Sequence, residues 1–159
     1  ENTSVGLRRS FWKLALEVGE ANAWLGAGQD GYETLQKEAV GRGEMPDAAL
    51  EFNHAHNEWL DMFAKRGLLG IAGLAIFFIV PGLIFARGLR REPEEAQGGT
   101  ATNEADERRA VAACGLMTVL GFAGFGLTQV MFAHNNGNMM YLLMVTIWLA
   151  CLQHSKARS

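Results

Sequence analysis

Two stretches without a single Asp, Glu, Lys or Arg, Gly67 to Ala86 and Ala110 to Phe132, decide what this chain can fold into. Each is long enough to cross a hydrocarbon core about 30 Å thick as a helix. Within lipid every backbone polar group must be satisfied by the chain itself, which favours helices for such runs. A third uncharged run, Met139 to Leu152, covers only about 21 Å as a helix, so it needs flanking residues or a thinned bilayer to span. The 49% hydrophobic content looks ordinary only because it averages these runs with the charged residues 1 to 66. The expected fold is therefore all-α: a polytopic membrane protein with a large loop bearing amphipathic helices and two to three transmembrane helices.

The basic residues orient it, because short cytoplasmic loops retain Lys and Arg. Arg87, Arg90 and Arg91 follow the first run, Arg108 and Arg109 precede the second, and Lys156 and Arg158 follow the third. The expected order is an outer loop over 1–66, a span over 67–86, a cytoplasmic linker over 87–109 and a span over 110–132. An outer turn over 133–138, a span over 139–152 and a cytoplasmic tail over 153–159 complete it. Lys65 and Arg66, at the outer end of the first span, run against this rule. Glu92 to Glu107 lacks apolar periodicity and is expected to be a mobile linker.

A net charge of -3 without a long basic block argues against a nucleic-acid partner. Cys114 and Cys151 fall within apolar runs, as small hydrophobes rather than a disulfide or metal framework. The chain begins at Glu1 and its spans make sense as the end of a longer polytopic protein, so a C-terminal fragment is expected.

Leu7, Phe11, Leu14, Ala15 and Val18 recur at helical spacing, which predicts an amphipathic helix from Thr3 to Ala21 on or entering the membrane surface. Gly26, Gly28 and Gly31 end it. Their Gly-x-Gly-x-x-Gly spacing follows a helix, whereas a dinucleotide fingerprint leaves a strand and opens a helix, so it reads as a sharp turn after interfacial Trp24 and Leu25. Gly41, Gly43 and Pro46 mark a loop. A second helix is predicted from Asn53 or His54 into the first span, with His56, Leu60, Phe63 and Gly67 on one face.

The segment Phe52-Asn53-His54-Ala55-His56-Asn57-Glu58 gathers titratable groups just before a span. A neutral imidazole there accepts a proton near physiological pH, which makes His56 a candidate base. The competing reading is that interfacial His and Asn cap a helix and bond lipid head groups. A metal site on His54 and His56 is disfavoured, because i, i+2 residues do not share a helix face and no third ligand is evident. Neither a metal nor a cofactor is expected. Arg8 and Arg9 suit bidentate binding of a phosphate or diphosphate, and equally suit snorkelling toward lipid phosphates. The turn His134, Asn135, Asn136, Gly137, Asn138 suits sugar recognition as well as an ordinary turn.

His56-Asn57, nine residues, Gly67, two residues, Gly70 resembles the signature of the O-antigen ligase and polymerase superfamily. Ser4 to Trp12 is similar to that family's Arg-x-x-x-Trp or Arg-x-x-x-Leu helix, and Trp24-Leu25-Gly26-Ala27-Gly28 to its Leu-Gly-x-Gly turn. Phe125-Gly126-Leu127-Thr128-Gln129 also resembles the segment that precedes the last outer turn in such proteins. The resemblance implies a multispan inner-membrane enzyme with a periplasmic loop, built like the membrane glycosyltransferases of the C type and working without metal or nucleotide.

What the resemblance implies for the site is specific. The family histidine falls on His56 and the loop arginine on Arg8 or Arg9, with Asn57, His54 and His134 also expected to contact substrate. A second arginine of the family's site lies in an earlier span, outside this chain. The implied reaction is transfer of a glycan from undecaprenyl diphosphate to a lipid A core sugar, with His56 as general base. Glu58 and Asp61 are secondary candidates for orienting groups, although on an ideal helix neither lies on the His56 face. An O-antigen polymerase, a protein O-oligosaccharyltransferase and a non-catalytic membrane protein that binds lipid-linked glycan remain open alternatives.

Overall fold

The computed structural model describes the backbone of residues 4–90, 99–132 and 135–158. In chain order the elements are α1 (Ser4–Ala21), α2 (Gly28–Gly41), a 3-10 turn (Asp47–Glu51), α3 (Glu58–Arg90), α4 (Gly99–Phe125) and α5 (Asn135–Arg158). Among the described residues there is no strand. The chain divides into two compact units, Glu1–Ile76 with Phe125–His134, and Phe77–Gly124 with Asn135–Ser159.

α3 and the Ala105–Phe125 part of α4 are long and apolar enough to cross a membrane, and the fold is that of an all-α membrane protein. The third run does not reach that standard among the described residues. α5 is 24 residues long, but polar Asn135, Asn136, Gln153 and His154 flank its apolar centre.

In the first unit the stripe on α1 faces protein rather than lipid. Phe11, Leu14, Ala15 and Val18 are buried with Tyr32 and Ala39 of α2, Met45, Ala49, Ala55 and Ala64, and Leu7 packs against them. An apolar stripe of this width needs only one cover, and the neighbouring helices provide it. α2 is an element the glycines had hidden: Tyr32, Gln36 and Ala39 are its buried face, and Asp30 sits in its first turn. Gly28 takes φ +74° at the helix start, where only glycine is unstrained, so it starts the helix as well as ending the turn.

α3 is broken at Gly67, which has φ 61° and ψ -156°. A break frees backbone groups that must find other partners. The turn after α1 supplies them: the Leu68 amide donates to the Ala23 carbonyl at 2.8 Å, Leu69 to Trp24 at 3.3 Å, and Ala27 donates to the freed Ala64 carbonyl at 2.8 Å. A Cβ on Gly67 would overlap the backbone of Trp24 and Leu25, and one on Gly26 the backbone of Lys65 and Arg66. Trp24 and Leu25 themselves stay exposed, beside the start of the apolar part of α3.

In the second unit, glycines again allow close helix approach, as small residues do in membrane bundles. A Cβ on Gly115 would overlap the Phe85 ring, and Gly88 faces Ala112 and Leu152. Tyr141 packs among Phe77, Phe78 and Phe122 and donates its hydroxyl to the Phe77 carbonyl at 3.0 Å. The outward side chains include Ile79, Val80, Leu83, Met117, Leu120, Leu142 and Leu143, a surface suited to lipid. α4 begins at Gly99, within the stretch expected to be a linker, while residues 91–98 lie outside the described ones. Ala101, Glu104, Ala105, Glu107 and Arg108 are good helix formers, and propensity carries the helix where no apolar stripe announces it.

Candidate active site

The turn carrying His54 and His56 is held by side chains from two helices of the first unit. From α2, buried Gln36 donates to the carbonyls of Ala49 at 2.6 Å and Phe52 at 2.8 Å, fixing the end of the 3-10 turn. From α3, the Asp61 carboxylate accepts the Ala55 amide at 2.9 Å, and Lys65 Nζ donates to the Asn53 carbonyl at 2.8 Å. Asp61 and Lys65 are ion-paired at 2.7 Å with both side chains buried. Lys65, an exception to the charge rule in the sequence, therefore has its charge compensated inside the protein.

Asn57 caps α3. Its Oδ1 accepts the amides of Trp59 at 3.0 Å and Leu60 at 3.1 Å, two of the donors that a helix start leaves unpaired. Its Nδ2 donates to the Leu127 carbonyl at 3.0 Å. Glu58 ties down the same loop after α4: its amide donates to Gly126 at 2.7 Å and its carboxylate accepts the Phe132 amide at 2.9 Å. Asn57, expected to contact substrate, thus spends both polar ends of its side chain on holding the turn.

His56 does not lie on a helix. α3 starts at Glu58, and His56 has φ 51°, the described non-glycine residue with positive φ. The expected face His56, Leu60, Phe63, Gly67 is therefore corrected: the Asn57 cap sets the helix start after His56. A left-handed non-glycine residue is tolerated for histidine more than for most, and such strain persists where surroundings over-determine it.

The imidazole of His56 packs against Phe52 at 4.8 Å, Phe11 at 5.4 Å and His54 at 4.3 Å between ring centroids. Its amide donates to His54 Nδ1 at 3.3 Å. Its own Nδ1 is buried and finds no hydrogen-bond partner among the described residues. Burial pushes the His56 pKa below the ordinary histidine value; a hydrogen bond with the Gln129 side chain opposes this, the Arg8 charge adds to it, and the Asp61 charge opposes it. The ring is held toward its neutral, proton-accepting form.

Of the expected residues, the structure brings His54 and His56 into contact and places Arg8 where its charge acts on the imidazole. Arg8 and Arg9 are both exposed on α1. His134 lies outside the described residues. Gln129 carried no expected role; its signal was its place in the Phe125 to Gln129 motif. Asp61 and Lys65 could have been paired from their i, i+4 spacing. Among the described residues no group of three or more His, Cys, Asp or Glu is placed to hold a metal ion.

The fold and this site define an all-α membrane protein whose polar, histidine-bearing turn stands at the start of a long apolar helix. Residues 1–75, which carry Arg8, His56, Gly67 and Gly70, match the family model described as O-antigen ligase, so this part of the chain is similar to that family. The chain is also 27% identical over 140 residues to a protein of Haemophilus influenzae described as uncharacterized, an alignment covering 88% of this chain and 32% of the relative. The chain spans about a third of the length of that curated relative.

Proposed function

We propose that the protein is an O-antigen ligase of the bacterial inner membrane, transferring a glycan from undecaprenyl diphosphate to a sugar of the lipid A core on the periplasmic side. The observation that carries this reading is His56: a ring held neutral, with Nδ1 unpartnered, in a strained turn beside the charge of Arg8. His56 removes the proton from an acceptor hydroxyl as that oxygen bonds to the anomeric carbon. The bond from that carbon to the diphosphate oxygen breaks, and its electron pair leaves with undecaprenyl diphosphate. Arg8 stabilises the charge that develops there. Because donor and acceptor are both lipids, a base at the outer start of a span meets each without extracting either.

The test is His56→Ala in the full-length protein in its own bacterium, comparing lipopolysaccharide with the pool of undecaprenyl-linked glycan. Long glycan that accumulates on undecaprenol and fails to reach the lipid A core supports the ligase. Single repeats on the core with loss of long chains point to a polymerase of the same superfamily. Loss of glycan from proteins alone points to a protein O-oligosaccharyltransferase, and an unchanged pattern removes His56 from the chemistry and favours a glycan-binding role.

A further inference from the structure

Asp61 and Lys65 are buried to 4% and 5% exposure, yet neither has a part in the proton transfer assigned to His56. Replacing a buried ion pair by apolar residues of similar volume is often neutral or stabilising, so the reason for keeping one is sought in the geometry it fixes. The pair grips the backbone before His56 at two points. Lys65 Nζ donates to Asp61 Oδ2 and to the Asn53 carbonyl, each at 2.8 Å, while Asp61 Oδ1 accepts the Ala55 amide at 2.9 Å. Tyr32 covers the ammonium, its ring centroid 5.1 Å from Nζ. Immediately after His56, Asn57 is fixed as the α3 cap. His56 is thus the residue left between two anchored neighbours, and it is the one forced to φ 51°.

We infer that Asp61 and Lys65 are a positioning pair that holds the turn Asn53 to Asn57 so that the His56 ring stays seated between Phe11, Phe52 and His54. The inference rests on the reading of His56 as the base, and it assigns the pair no contact with substrate.

The test is Asp61→Asn combined with Lys65→Met in the full-length protein in nanodiscs. This double substitution removes both charges of the pair together, keeps an acceptor for the Ala55 amide and removes the grip on Asn53. Two readouts are taken: kcat and KM for the lipid-linked donor, and the rate at which diethylpyrocarbonate modifies His56, resolved by peptide mass spectrometry against exposed His154. The expected result is kcat lower by about tenfold or more with KM within about twofold, and His56 modified about fivefold faster, because small misplacements of a reacting group cost rate rather than binding. The inference is overturned if kcat and the modification rate both stay within about twofold of wild type.

Full activity in His56→Ala would remove the catalytic reading, and the modification rate would still report on the clamp. Should the double variant fail to accumulate, hydrogen exchange of the wild-type Ala55 amide decides: protection like that of the α3 interior supports the grip, and exchange as fast as an open loop overturns it.

Discussion

Gly67 and Gly26 each occupy the left-handed region, at φ 61° and 69°, and each presses the backbone beside the other, so that α3 breaks where the turn after α1 enters it. The Leu68, Leu69 and Ala27 amides bridge the two segments. Glycine at both positions is demanded by conformation and by space.

Gly67→Ala therefore combines the cost of a backbone conformation essentially confined to glycine, roughly 1–3 kcal/mol, with a backbone overlap that relaxation only partly relieves. The melting temperature of the purified protein should fall by several degrees or more, and its level in the membrane should drop. Gly41→Ala, where no atom stands within 4 Å of the added carbon, should change neither.

Removing the α3 cap gives a smaller effect with a different signature. Asn57→Ala loses the acceptor for the Trp59 and Leu60 amides, worth about 1 kcal/mol, and the tie to Leu127 as well. Asn57→Asp keeps the cap acceptor but sets a carboxylate against the Leu127 carbonyl. Thermal melts should rank wild type above both variants, and proteolysis should open the 126–132 loop in each.

Much of this arrangement was legible in the residues. The uncharged runs after Gly67 and Ala110 announced the two long apolar helices, and the His-Asn-x9-Gly-x-x-Gly spacing singled out the turn at His56 and the break at Gly67. What stayed hidden depended on contacts distant in sequence. Gln129 meets His56 only because Asn57 and Glu58 tie down its loop, and Lys65 looked like a misplaced surface charge because its partners, Asp61 and the Asn53 carbonyl, appear only once the turn folds back. α2 was obscured by glycines at its start, and the helical start of α4 by the lack of apolar periodicity.

The pH dependence follows from His56. Its pKa is lowered by burial, so the neutral imidazole predominates at pH 7; with His56 as the proposed base, the rate should fall as pH drops, with a midpoint below 6.5. Arg8→Gln removes a charge that lowers the pKa and should move the midpoint up; Gln129→Leu removes a bond that raises it and should move the midpoint down. The stability sign is set by the same shift. Protonation is harder in the folded state, so this residue costs nothing above 6.5 and destabilises the fold as pH falls through 6.5 toward the folded value.

The two arginines should separate in a kinetic test. Arg8→Ala removes the charge felt at His56 and the proposed partner of the leaving diphosphate, with kcat lower by about 10²-fold, the order seen when a transition-state donor is lost. Arg9→Ala should cost less than about threefold, as expected of an exposed side chain outside the proposed chemistry. Steady-state rates with a lipid-linked donor distinguish them.

The most direct measurement of the central claim is the single-turnover rate of purified full-length His56→Ala with undecaprenyl-diphosphate-linked glycan and a core acceptor, beside a melt that shows the variant folded. Loss of a general base predicts a rate lower by about 10²–10⁴-fold with donor binding retained. A folded variant that transfers glycan at the wild-type rate would contradict the account.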